Sequence, residues 1–166
     1  MDRKWTKVMI NLKFLQAKHI KAFASYHLTA DQLAFTAHPL EKLLQAIQSS
    51  YCKPVGICYG KDMVGFFILQ WGDIQPYSCD EDALLLRAYS IQQQYQGQGF
   101  AKQSMHELPV FVNGYFPDVR KVVLGVNRKN KLAQKVYLAG GFEDTGRRVQ
   151  GQVGEQYIFQ KNIKLE

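Results

Sequence analysis

The chain of 166 residues is expected to fold as one α/β domain, residues 1–166, in which helices cover both faces of a mixed, largely antiparallel, twisted sheet. Three observations predict it. The periodicities run in the order strand, helices, hairpin, strand, helix, strand, helix, hairpin, which packs as mixed α/β layers. Residues 84–91 have the length and residue types of a buried strand, and the chain then passes through Gly97 and Gly99 directly into a helical pattern. With 46% hydrophobic and 21% charged residues, the composition suits a single domain with a sizeable core.

Residues 8–15 alternate loosely (Val8, Ile10, Leu12, Phe14), as a half-buried opening strand does. A helical region follows, in which Thr29 is placed to cap a short helix and Pro39 to open another carrying Leu40, Leu43, Leu44 and Ile47. Two apolar runs, 53–59 and 63–70, are joined by Gly60, Lys61 and Asp62, a loop suited to an antiparallel hairpin. Residues 71–82 read as loop, with Gly72, Pro76 and Ser78, and end in Asp80, Glu81 and Asp82. Solvation is the plain account of those carboxylates; the functional one is that a carboxylate there draws a cationic amine or relays its proton.

After the central strand, Ala101, Met105, Leu108, Val112 and Tyr115 recur at spacings of three and four, the inward face of a helix. Pro109 falls inside it. A proline there removes one hydrogen bond and crowds the carbonyl of Met105, so a kink or break is expected. Asn113, Gly114 and Pro117 mark the helix end, residues 121–126 form another buried strand, and 143–149 with 155–161 close the sheet as a hairpin across Gly151 and Gly154.

The order strand, glycine turn, helix N-terminus presents backbone N–H groups at the positive end of a helix dipole, which is an anion site. The spacing excludes two familiar anions. A nucleoside triphosphate loop would need Gly followed by Lys and Ser or Thr, but Gly99 is followed by Phe100 and Ala101. A dinucleotide turn would need Gly or Ala where Lys102 stands. What remains is Gln-x-x-Gly-x-Gly, occupied by Gln94, Tyr95, Gln96, Gly97, Gln98 and Gly99.

Composition bounds the rest. No window reaches the roughly 18 apolar residues of a membrane span, and the start lacks a signal peptide's apolar core, so a cytoplasmic protein without membrane contact is expected. Cys52, Cys58 and Cys79 form no CxxC and have no His at metal spacing, so no metal and no disulfide framework is expected. The net charge of +7 is spread along the chain, which suits a phosphate-rich small ligand better than a nucleic acid.

A second stretch completes the pattern. Asn130 suits a helix N-cap, Ala133, Val136 and Tyr137 share a face, and Gly140 suits the C-cap of a helix of under three turns. Together the two stretches resemble the GNAT superfamily of N-acetyltransferases: the Gln94–Gly99 turn is similar to its coenzyme A pyrophosphate loop, and Asn130, Ala133, Tyr137, Gly141 and Phe142 match its later segment. Leu138, Ala139 and Gly140 depart from the family, in which Lys is frequent there.

The resemblance implies acetyl transfer from acetyl-CoA to an amine through a ternary complex. That chemistry needs a neutral amine, a stabilised oxyanion and a proton for the leaving thiolate. A phenol, with pKa of about 10, holds its proton at neutral pH, so Tyr137 is the expected general acid; a packed core aromatic is the alternative. Backbone N–H groups of residues 96–102 (Gln96, Gly97, Gln98, Gly99, Phe100, Ala101, Lys102) are expected on the pyrophosphate, with Lys102 or Arg128 reaching further phosphates. The oxyanion is expected at a backbone N–H near Tyr89, Ser90 or Ile91, and Asn130 and Ala133 beside the cofactor. Glu81 and Asp82 are candidates for the base, as is a water chain.

The resemblance also implies that the early helical pair walls the acceptor side. Residues 28–35 are similar to the bacterial spermine, spermidine and diamine branch, which implies a small polyamine, with Asp73, Asp80, Glu81 and Asp82 as its acidic pocket. Members are often homodimers. A non-catalytic acyl-CoA binding module, a protein or peptide amine as acceptor, and a basic nucleic-acid binder are the other readings.

Overall fold

The computed structural model describes residues 9–163, so Val8 of the expected opening strand lies outside the described residues. The strands are β1 (Ile10–Phe14), β2 (Cys52–Tyr59), β3 (Asp62–Gln70), β4 (Ala83–Ile91), β5 (Lys121–Asn127), β6 (Glu143–Gly151) and β7 (Gly154–Asn162). They make one sheet in the order β1-β2-β3-β4-β5-β7-β6. Between β4 and β5 the pairing is parallel, because a helical crossover joins them; the other neighbours are antiparallel. The mixed, largely antiparallel sheet is as expected.

The helices are a 3-10 helix (Ala17–Ser25), α1 (Ala30–Leu33), α2 (Pro39–Gln48), α3 (Phe100–Tyr115) and α4 (Lys131–Ala139). Thr29 caps α1 by accepting from the Gln32 N–H, while the Gln32 side chain accepts from the Thr29 N–H. Strand alternation divides the core between the two faces. Phe67, Leu69, Leu84 and Leu86 pack with Met105, Leu108 and Val112 of α3 and Tyr137 of α4. On the other face Phe66 and Ile68 pack with Phe23 and Tyr26 of the 3-10 helical segment and Leu43 of α2. Helices therefore cover both faces.

Two details of the helices differ from the sequence reading. Tyr115 is 61% exposed; it caps the end of α3 by packing its ring edge against Phe14, and Phe100, Ser104 and Phe111 join the buried face instead. Pro109 does not break α3, which continues through it for 16 residues. The physical reason is a substitute donor. Pro109 leaves the Met105 carbonyl without its intrahelical N–H, and Lys161 on β7 donates to that carbonyl at 2.8 Å and to the Gly140 carbonyl at 2.6 Å. Burial pushes the Lys161 amine below the ordinary lysine range. At the same junction Gly140 meets Met105 so closely that a Cβ would lie 2.5 Å from the Met105 side chain, so the end of α4 docks only with glycine there.

Among the described residues no helix is long and apolar enough to cross a membrane. Cys52 and Cys58 are buried, and Cys79 is exposed.

Candidate active site

The C-terminal end of β4, the first turn of α3 and α4 converge on an open cleft of about 1750 Å³. At its phosphate-like end, Gly97 and Gly99 adopt φ of +76° and +85°, left-handed values that glycine reaches without strain. Nothing lies within 4 Å of where a Cβ would sit on either. Gly99 is the N-cap of α3, contributes no side-chain cap, and is followed by a first turn without an acidic residue. The opening N–H groups of α3 therefore have no acceptor among the described residues. By contrast α4 is capped by Asn130, whose side chain accepts from the Ala133 N–H at 3.2 Å. An uncapped, glycine-led N-terminus facing a cleft fits a pyrophosphate.

Next to it the sheet opens. The pairing of β4 with β5 is limited to Ala83↔Lys121, Leu84↔Val122 and Leu85↔Val123, so beyond Leu85 the β5-facing edge of β4 has no strand partner. On the other edge the register with β3 shifts between Phe66 and Ile68. Ala88 takes the extra position with φ of +55°, a conformation costing of order 1–3 kcal/mol for a residue with a Cβ. Tyr26 holds the segment from the opposite face: its hydroxyl donates to the Ser90 carbonyl at 3.0 Å and lies 2.6 Å from the Ser90 hydroxyl.

Two tyrosines meet over this segment, with ring centroids of Tyr89 and Tyr137 5.8 Å apart. The Tyr89 hydroxyl is engaged, 2.6 Å from the Ser104 hydroxyl, and ties β4 to α3. Tyr137 is 8% exposed and lines the cleft, yet its hydroxyl has no hydrogen-bond partner among the described residues. Burial pushes both phenols well above the ordinary tyrosine range. Of the two, Tyr137 alone combines a held proton with a hydroxyl free to give it.

Of the residues the sequence singled out, Tyr89, Ser90, Ile91, Gln96, Gly97 and Gly99 line the cleft, and so do Phe100, Ala101, Lys102, Asn130, Ala133 and Tyr137. Gln96 also donates its side-chain amide to the Ile91 carbonyl at 2.8 Å, bracing the turn. Gln94 and Gln98 are exposed and are not part of the cleft wall; the Gln98 amide folds back onto the Gln94 carbonyl at 3.2 Å. Arg128 borders a smaller adjoining pocket.

The structure places Glu81 and Asp82, the candidate bases, away from the cleft. Both precede the first residue of β4, a nine-residue strand, which puts them up to about 23–26 Å from Tyr89 at about 3.3 Å per residue. Neither lines the cleft. The Asp82 carboxylate instead lies 3.9 Å from the Arg120 guanidinium, while its backbone carbonyl accepts from the Arg120 N–H, and Asp80 pairs with Lys121, which holds its carboxyl below the usual carboxylate range. Asp73 is outside the cleft as well, so the four carboxylates do not form an acidic acceptor pocket.

No family model matches the chain. The Bacillus subtilis protein YbbJ, named as an uncharacterized N-acetyltransferase, is 40% identical over 152 residues, covering 90% of this chain and 95% of that one. This chain belongs to the GNAT superfamily of N-acetyltransferases. The spermine/spermidine N(1)-acetyltransferase of B. subtilis is 28% identical over 141 residues, 82% of this chain and 90% of that one. Among solved structures, AAC(6')-Ib in complex with paromomycin and acetyl-CoA aligns with a TM-score of 0.75 at 14% identity, over 93% of each chain, which shows a shared fold.

In this GNAT chain the far wall of the cleft comes partly from residues 28–29, 31–37 and Lys42, in the early helical region where the resemblance placed the acceptor side, and partly from Gln70, Ile74, Gln75, Tyr77, residues 150–153 and Gln156, which sequence reasoning missed. Tyr77 is set in place from two sides: its hydroxyl donates to the Gln156 side chain at 2.8 Å, and Arg147 donates to its carbonyl at 2.9 Å. No short motif links these segments. The cleft as a whole is lined by Lys42, Arg87, Lys102, Lys129, Lys131 and Lys135 against a single carboxylate, Asp31.

Proposed function

We propose that the whole chain acts as one acetyltransferase domain that moves an acetyl group from acetyl-CoA directly to a primary amine of a small molecule, with both substrates in the cleft at once. The observation that carries this is the hydroxyl of the largely buried, cleft-lining Tyr137, without a protein partner among the described residues, beside the unpaired edge of β4. Acetyl-CoA supplies the activated thioester. The first-turn N–H groups of α3 would hold its pyrophosphate, with Lys102 adding charge. A backbone N–H between Tyr89 and Ile91 would meet the developing negative charge. As the new N–C bond forms and the C–S bond breaks, Tyr137 gives its proton to the sulfur and is reprotonated by solvent. The amine proton leaves to water, which reaches the open cleft.

A polyamine acceptor is the narrower reading, favoured by the 28% identity to the spermine/spermidine enzyme. The lining charge weighs against it, because six cationic side chains face one carboxylate and a polycation would meet repulsion.

The test is release of free thiol from acetyl-CoA across polyamines, aminoglycosides, amino acids and peptides, with Tyr137→Phe alongside. Turnover with one amine class, lowered at least about 100-fold in the variant, is the expected result. Tight binding of acetyl-CoA without turnover on any amine would favour the non-catalytic binding module. Full activity of Tyr137→Phe would remove Tyr137 from the acid role.

A further inference from the structure

The half of the cleft walled by the early helical region, the acceptor half on the proposed reading, contains a cation without an ion-pair partner among the described residues. Arg87 lines the cleft, and its Nε is fully buried without a hydrogen-bond partner. The ion pairs among the described residues are Arg120 with Asp82, Lys121 with Asp80 and Arg148 with Asp144; Arg87 is in none of them. A buried guanidinium donor left unpaired is costly, and such groups are normally matched by an acceptor.

Its placement decides what the missing acceptor could be. Arg87 pairs with Ile68 across the β3–β4 register, and Ile68 belongs to the core beneath the 3-10 helix and α2. The side chain therefore projects to the acceptor face of the sheet, away from Tyr137 and α3. It lies beside Tyr77, whose phenol burial pushes up and the Arg87 charge draws back down. Lys42 adds a second cation to that half, and Asp31 is its one carboxylate. Arg87 and Tyr89 flank the Ala88 irregularity and both line the one cleft, so one small molecule can span from the guanidinium to the reacting segment.

We infer that Arg87 is a specificity-determining residue that binds an anionic group, a carboxylate or a phosphate, carried by the acceptor amine. This deepens the reading of the cleft as an acetyl-transfer site and rests on it. A guanidinium presents paired donors that match both anions, and an acceptor with such a group supplies the partner that Nε lacks. A polyamine or another amine without an anion would leave Arg87 unpaired.

The test compares matched amines by thiol release from acetyl-CoA: lysine against cadaverine, and glucosamine 6-phosphate against glucosamine. The wild type is expected to favour the anionic member of at least one pair tenfold or more in kcat/KM, and which pair responds distinguishes carboxylate from phosphate. In Arg87→Gln that preference collapses below twofold, in Arg87→Lys it is partly restored, and the KM for acetyl-CoA is unchanged in both. Equal or better use of cadaverine and glucosamine by the wild type, or a preference that survives Arg87→Gln, overturns the inference and leaves the transferase reading standing. A second measurement does not depend on turnover. Calorimetric titration of lysine and of glucosamine 6-phosphate into the protein with free coenzyme A should show binding of at least one, weakened tenfold or more by Arg87→Gln. Failure of both to bind the wild type overturns the assignment even if other amines are acetylated. Binding without any thiol release would instead locate the failure in the transfer reading.

Discussion

On the reading proposed above, the cofactor half of the cleft is made of backbone, and the acceptor half is made of side chains brought from distant parts of the chain. In the first, two left-handed glycines, an uncapped helix start and an unpaired strand edge present N–H groups whose positions are set by secondary structure. In the second, Asp31, Lys42, Tyr77, Arg87 and Gln156 come from separate elements. The difference teaches that binding the donor and choosing the acceptor are physically separable here. Substitutions in one half should leave the other's constants nearly untouched.

The largest effect that would sharpen this contrast is at Tyr137, where the halves meet. Tyr137→Phe is expected to lower kcat by ~100-fold or more while the Kd for acetyl-CoA moves less than about threefold. A parallel rise in Kd would show that the hydroxyl serves cofactor binding instead. Next comes Gly99→Val, which forces a β-branched residue to φ of +85° at a cost of order 1–3 kcal/mol. Calorimetry should show acetyl-CoA affinity weakened by roughly tenfold to a hundredfold, with the preference among acceptor amines unchanged.

A third change acts on the frame of the cofactor half. Lys161→Met strands the Met105 and Gly140 carbonyls and is expected to cost about 1–3 kcal/mol in denaturant unfolding. In a Pro109→Ala background, whose restored N–H can satisfy Met105, the same substitution should cost less; an equal cost would mean that Lys161 does not compensate for the proline.

The pH profile gives a smaller signal. Burial holds the Tyr137 phenol above its ordinary value of about 10, so its proton is kept throughout the neutral and mildly alkaline range. The rate is expected to rise as the acceptor amine deprotonates and to show no alkaline fall below about pH 10; a fall near pH 8–9 would assign the acid to another group. The smallest effect is expected from Glu81→Gln with Asp82→Asn, which should change kcat/KM by less than about twofold. A large loss would return those carboxylates to the acceptor half, although the structure places them at the opposite end of β4.

The glycine turn and the helix that carries Tyr137 were legible because their determinants are local. Gly97, Gly99, Asn130 and Tyr137 owe their positions to a turn, a cap and a helix face, each specified by residues within a few positions. Pro109 shows the limit of that reasoning. Local rules correctly identify the lost hydrogen bond at Met105, but the replacement donor, Lys161, is far away in sequence and arrives only because β7 inserts beside β5. Tyr115 was misplaced for a related reason, since period alone does not say where the neighbouring layer stops. Glu81 and Asp82 are adjacent in sequence to the central strand yet lie at its wrong end.

The sequence by itself determined the element order, the mixed sheet, the glycine turn before α3 and the helix that carries Tyr137, because periodicity, capping and turn chemistry act over a few residues. Only the tertiary structure decided which carboxylates reach the cleft, how far β4 and β5 stay paired, what satisfies Met105, and that Arg87 lines the cleft without an ion-pair partner among the described residues. Those depend on long-range register and packing, which bring together groups that no local spacing connects.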